Sequence, residues 1–108
     1  MDNYQDEYEK LLKNGWSQES NFNSKATESK NVSFNFPIQK TYIFSGFKKS
    51  IAFVNEVANL AELHNHHPDL TIQFNKVKVT LFTHDSKSLT NRDLELANLI
   101  DKVEKTVN

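Results

Sequence analysis

The chain has 108 residues, 37 % hydrophobic and 25 % charged, values that fit one soluble globular domain, and eight Phe against two Gly and two Pro argue for a packed interior rather than a disordered tail. A formal charge of −1 and a sequence pI near 6.4 leave no global basic field, so nucleic acid is not an expected partner. Zero cysteines exclude disulfides, a thiolate nucleophile and Cys-based metal sites. No run approaches the ~20 apolar residues that span a bilayer. The acidic, polar residues 1–7 resemble neither a secretory signal nor a transit peptide, so a cytoplasmic location is the expectation.

In chain order, residues 4–14 read as a short helix, with Tyr8, Leu11 and Leu12 at helical spacing and Gly15 ending it. Trp16 starts a new element. Residues 17–31 turn to Ser, Asn, Glu and Lys without apolar rhythm and read as a loop or insertion. Val32, Phe34 and Phe36 alternate with polar residues, a half-buried strand that stops at Pro37. Residues 38–44 predict a second strand, whose neighbour is either residues 32–36 or a strand beginning near Trp16. Ser45 is placed to cap a helix over about residues 47–64, with Phe47, Ile51, Val54, Ala58 and Ala61 on one face. Pro68 forbids its continuation. Leu70, Ile72 and Phe74 alternate, as do Val77, Val79, Leu81 and Thr83, which predicts a hairpin turning at Asn75-Lys76. Thr90 and Asp93 resemble a capping box that opens a helix with Leu96, Ala97, Ile100, Val103 and Val107 inward. The order predicts a single α+β domain over residues 1–108, a two-layer sandwich with helices packed on one face of an antiparallel sheet.

All four histidines, His64, His66, His67 and His84, fall between residues 64 and 84. If the hairpin forms, its return path brings His84 back towards His66 and His67. Imidazole has an ordinary pKa near ~6.5 and can give and take protons at neutral pH. Three readings compete: polar loop histidines, a metal site, and metal-free acid–base chemistry. Adjacent His66 and His67 point to different sides of an extended backbone, and no helical His pair exists, which weighs against a metal. Composition alone leaves the last two readings open.

Three segments become specific together. They are Ala61-Glu62-x-x-Asn65-His66-His67-Pro68, Phe74-Asn75-Lys76-Val77-x-Val79-x-Leu81-x-Thr83-His84-Asp85, and Leu89-Thr90-x-x-Asp93. With the ensuing Leu96-Ala97-x-x-Ile100-Asp101 they closely resemble the signature of the pterin-4a-carbinolamine dehydratases. Looser similarity covers Gly15-Trp16 and residues 38–57. The resemblance implies a four-stranded antiparallel sheet with helices on one face, assembled as a homodimer or homotetramer. It implies removal of water from 4a-hydroxytetrahydropterin to give quinonoid dihydropterin, which recycles the cofactor of aromatic amino acid hydroxylases. One proton goes to the departing 4a-hydroxyl and one leaves the ring nitrogen beside it. No metal and no cofactor beyond the pterin substrate are implied.

Carried over by position, His66, His67 and His84 are the acid–base and pterin-contacting groups, and Glu62 orients an imidazole or holds a pterin nitrogen. Asn65, Pro68, Thr83 and Asp85 line the pocket, Asp93 lies at its edge, and Trp16 stacks nearby. Plainer readings stand beside these. Glu62 reads equally as an exposed helix end, Asp93 as a capping carboxylate, Trp16 as core, Asp85 as a strand terminator and His64 as surface. The chain also departs from the family pattern, with Ser88 where Gly is usual, Phe74 in place of Tyr, and an apparent insertion at residues 17–31. Some relatives serve instead as dimerisation partners of a transcription factor or as assembly factors, so a protein partner is the alternative reading. Retention of all three histidines favours the enzyme.

Overall fold

A computed structural model describes residues 4–18 and 36–108. Within them the elements run α1 (Tyr4–Lys13), β1 (Ser17–Gln18), β2 (Ile38–Ile43), α2 (Phe47–His64), β3 (Asp69–Gln73), β4 (Lys76–Leu81) and α3 (Asn91–Val107). The strands form one antiparallel sheet in the order β1-β2-β4-β3. Register follows the alternation in the sequence. Ile38, Lys40 and Tyr42 of β2 stand opposite Leu81, Val79 and Val77 of β4, and Leu70 and Ile72 of β3 stand opposite Val79 and Val77. This face carries the core, while Thr41, Thr71 and Lys78 lie exposed on the other. The result is the expected α+β sandwich with helices on one face.

The neighbour of β2 is β1, with Ser17 opposite Gln39, so the strand beginning near Trp16 is the one that pairs. The expected strand at residues 32–36 lies outside the described residues except for Phe36, which sits at a bend. Of the expected loop at 17–31, Ser17 and Gln18 belong to β1 and the rest lies outside the described residues.

Three local expectations need correction. Gly46, not Ser45, is the N-cap of α2, and it offers no side chain to the exposed amides. The helix begins too late for Ser45 to reach them. Its buried face comprises Ser50, Phe53, Val57 and Ala61, so Phe47, Ile51, Val54 and Ala58 are displaced from the centre of the contact. Phe53 sets that rotation by packing at 4.8 Å from the Tyr42 ring and 5.0 Å from Phe44. Ser50 tolerates burial because its hydroxyl donates to the Phe74 carbonyl at 2.8 Å. The hairpin turn is Phe74-Asn75, one residue earlier than expected, since Gln73 pairs with Lys76. Asn75 is spent on anchoring that turn, donating from Nδ2 to the Phe44 carbonyl while its own carbonyl accepts from the Phe44 amide.

Asp101 ties α3 to the sheet. Its nearly buried carboxylate accepts from Tyr42 at 2.5 Å, Lys40 Nζ at 2.8 Å and Trp16 Nε1 at 3.1 Å. Burial first, and then the bond to Asp101, push the Tyr42 phenol far above its ordinary range, so it stays protonated and donates. Among the described residues no helix is long and apolar enough to cross a membrane. Replacing Asp101 by Ala would strand a buried indole N–H, a phenol and a partly buried ammonium. Asp101→Ala should therefore cost about 2–4 kcal/mol in urea denaturation, and an unchanged midpoint would refute this role.

Candidate active site

The site is built where three elements end together. α2 stops because Asn65 enters the left-handed region at φ +52°. The amide of Asn65 then bonds the Glu62 carbonyl at 3.3 Å, and the amide of His66 bonds that of Ala61 at 3.0 Å. These two bonds are the Schellman closure of a helix C-terminus. The chain leaves extended, so the adjacent imidazoles diverge: His66 is 9 % exposed, whereas His67 faces solvent. Beyond β4, Thr83 pairs with Ser88 through backbone bonds of 3.0 and 3.2 Å. That pairing closes a tight loop whose first residue is His84 and whose last, Lys87, has φ +55°.

Asp93 holds the arrangement from behind. It is fully buried and completes the capping box of α3, accepting from the Thr90 amide at 3.0 Å. The same oxygen accepts from the Thr83 hydroxyl at 2.7 Å, and the other lies 2.6 Å from Nε2 of His66. Thr83 has one hydroxyl proton and gives it to Asp93, so at their 2.8 Å contact Thr90 is the donor and Thr83 accepts. Every bond to Asp93 is one that the carboxylate accepts, which assigns the proton to Nε2 of His66. Nδ1 of His66 is left without a partner among the described residues. His67 Nε2 meets Glu62 at 2.8 Å in an exposed pair.

Asn65, His66, His67, Phe82, Thr83, His84, Asp85 and Arg92 line a cleft of about 320 Å³. The structure thus gathers the three sequence-singled histidines with Asn65, Thr83 and Asp85. Glu62 reaches the cleft only through His67, and Asp93 lies behind the wall, capping a helix and holding His66 at once. Pro68 is half-buried beside the cleft's histidines but is not among its lining residues. The stacking role for Trp16 is not seen: its indole is buried in the core and donates to Asp101. His64 lies exposed at the last position of α2.

Two lining residues were missed, Phe82 and Arg92. Phe82 falls at the polar positions of the strand alternation, an anomaly that the sequence does display. Arg92, inside the Thr90-x-x-Asp93 box, donates from Nη2 to the Asn65 carbonyl at 3.0 Å, tying α3 to the end of α2. No group of three or more His, Cys, Asp or Glu suited to a metal ion is found among the described residues.

On this α+β sandwich three imidazoles line one cleft, one of them fixed by a buried carboxylate. The sequence profile of the pterin 4 alpha carbinolamine dehydratases matches residues 3–103, and the chain belongs to that family. A protein of Sulfurisphaera tokodaii, provisionally named a pterin-4-alpha-carbinolamine dehydratase, is 47 % identical over 66 residues, 61 % of this chain and 71 % of that one. One of Thermomicrobium roseum, with the same provisional name, is 50 % identical over 58 residues, 54 % of this chain and 62 % of that one. Among solved structures, a transcriptional coactivator/pterin dehydratase from Brucella melitensis superposes with a TM-score of 0.69 at 24 % identity, covering 96 % of this chain and 99 % of the other. A pterin dehydratase-like protein identified as a RuBisCO assembly factor in the alpha-carboxysome gives 0.62 at 16 % identity, covering 83 % and 89 %. At such identities these two likenesses concern the fold alone.

The loop that carries His84 is strained at Lys87, a side-chain-bearing residue in the left-handed region. Glycine meets no such penalty there. Lys87→Gly should raise stability by about 0.5–1 kcal/mol in thermal or urea unfolding, and a loss of stability would show that the Lys87 side chain makes a contact worth more than the strain.

Proposed function

We propose that this protein removes water from 4a-hydroxytetrahydropterin to give quinonoid dihydropterin, by acid–base catalysis on His66, His67 and His84. The observation that carries the reading is the single cleft in which the three imidazoles meet, with Asp93 fixing the tautomer of His66. In this reading His66 offers the Nδ1 lone pair as proton acceptor for the ring nitrogen next to the reacting carbon. A second imidazole of the cleft, His84, gives its proton to the 4a-hydroxyl, which departs as water. Protons balance: one is taken, one is given, and the C–O bond electrons leave with the hydroxyl while a C=N bond forms. His67, held by Glu62, contacts the pterin at the cleft's mouth. The pterin is the substrate, and neither a metal nor a further cofactor takes part.

The test is a dehydration assay on EDTA-dialysed protein, with 4a-hydroxytetrahydropterin generated in situ by a hydroxylase. Turnover should survive the dialysis. His84→Ala should lower kcat by roughly 10²–10⁴-fold, the usual worth of a positioned proton-transfer group. His64→Ala, outside the cleft, is the control and should match the unmodified protein. Equal damage from both in folded variants overturns the assignment. Near-unchanged rates for His66→Ala, His67→Ala and His84→Ala as well as His64→Ala would favour the alternative reading, a non-catalytic protein-partner role.

We further propose that the protein is a homodimer or homotetramer. The support is the outer edge of β3, the last strand of the described sheet, where Ile72 is 38 % exposed, beside Phe74 of the adjoining turn at 66 %. Such an edge is open to pairing unless covered. Light scattering at micromolar concentration should give at least twice the 12.5 kDa chain mass. A monomer alone would count against it.

A further inference from the structure

The three imidazoles of the cleft are not held alike. His66 is fixed by Asp93 at 2.6 Å and His67 by Glu62 at 2.8 Å. The His84 ring has no hydrogen-bond partner among the described residues, although its carbonyl accepts from the Lys87 amide at 3.2 Å. What meets its ring is the ring of Phe82, with centroids 5.7 Å apart and planes at 80°, an edge-to-face pair. Phe82 and His84 lie two residues apart on the same side of the extended end of β4, and both line the cleft. Phe82 is half-buried and packs against the hydrophobic core, so its own ring has a rigid backing that exposed His84 lacks.

We propose that Phe82 is the positioning residue for His84. Held only by its backbone, an exposed imidazole samples several rotamers, and a proton-transfer group must lie within hydrogen-bond reach of the atom it serves. The ring contact removes much of that freedom, and no hydrogen bond takes up a ring nitrogen, so both nitrogens of His84 stay available to substrate. A carboxylate partner would occupy one of them, as Asp93 and Glu62 do for His66 and His67. The cleft therefore holds two imidazoles oriented by hydrogen bonds and one oriented by packing alone. Any fluctuation of Phe82 passes directly to His84.

The kinetic part of this proposal rests on the dehydratase reading; the contact itself does not, and the two are tested separately. Phe82→Leu keeps apolar volume and removes the ring, whereas Phe82→Tyr keeps the ring. Circular dichroism and thermal unfolding establish that both variants fold. In NMR spectra the His84 ring protons, assigned with His84→Gln, should lose their ring-current shift in Phe82→Leu and keep it in Phe82→Tyr. In the dehydration assay Phe82→Leu should lower kcat about three- to tenfold, the range that an edge-to-face pair is worth, with KM little changed. Phe82→Tyr should restore most of the rate. Unmoved His84 resonances in Phe82→Leu would overturn the proposal, as would an unchanged kcat or a loss confined to KM, which marks ground-state contact with the ligand. Equal losses in both variants would overturn it too. Were the unmodified protein inactive, the dehydratase reading would fall, while the ring shifts would still decide whether Phe82 orients His84.

Discussion

One buried carboxylate, that of Asp93, is the constraint on which the cleft depends. A charge with no solvent access is tolerable only if its oxygens are saturated with donors, and the three donors come from three different pieces of chain. The Thr90 amide belongs to the start of α3, the Thr83 hydroxyl to the end of β4, and the His66 imidazole to the segment after α2. Separating any one of them from the others leaves part of the carboxylate unsatisfied. The elements that carry the histidines are thereby locked in register by the same group that fixes the His66 tautomer. Asp93 both caps α3 and holds His66, so the capping reading and the cleft-edge reading are compatible.

The second buried carboxylate, Asp101, lies eight residues further along α3, about two turns or ~12 Å on the same face. It repeats the arrangement past the middle of the helix, gathering Trp16, Lys40 and Tyr42 from the α1–β1 corner and from β2. Between them stand apolar Ala97 and Ile100, both buried. The inner face of α3 is thus pinned electrostatically at its first turn and again at Asp101, and packed by dispersion between them and beyond, at Val103 and Val107. Such a helix resists the sliding that an amphipathic stripe of leucines would permit, because each carboxylate has a fixed set of donors. Rigidity at the Asp93 end benefits from the Asp101 end.

How much was legible in the sequence follows from which forces write local patterns. Period-two alternation wrote β2 and β4, and the Thr90-x-x-Asp93 box wrote the start of α3. The histidine spacing, with Pro68 and the hairpin, placed His66, His67 and His84 in one region. The face of α2 was read wrongly because hydrophobicity ranks Ile51 above Ser50, while the fold buries Ser50 through a hydrogen bond to a carbonyl far away in sequence. Phe53 similarly turns the helix towards the rings of Tyr42 and Phe44, a long-range preference with no local signature. Trp16 and Asp101 were seen separately, since nothing in a one-dimensional pattern says that residues 85 positions apart share a bond. Phe82 was the legible omission: an aromatic at a solvent-facing strand position, two residues before a singled-out histidine, already invited the question of what its ring covers.

The two helix endings show how the same backbone device can be neutral or functional. α1 closes on Gly15 and α2 on Asn65, each with the paired carbonyl bonds of a Schellman motif. At Gly15 a side chain is disfavoured by φ +103°, and an added Cβ would also crowd Lys40 Cε at 3.1 Å. That position can do nothing but turn the chain. At Asn65, φ +52° falls where asparagine is the best tolerated of the side-chain-bearing residues, and its side chain lines the cleft while its carbonyl takes the Arg92 guanidinium. Glycine would make the turn with less strain but would leave the cleft wall without an amide. The strained residue stands at the ending that borders the histidines, and the relaxed one at the ending that does not. The same asymmetry recurs in the loop after β4, where Lys87 occupies a left-handed position three residues from His84. Of the three side-chain-bearing residues with positive φ among the described residues, Asn65 and Lys87 border the cleft, where the chain reverses on either side of the imidazoles it presents, whereas Phe74 makes the β3–β4 turn away from it.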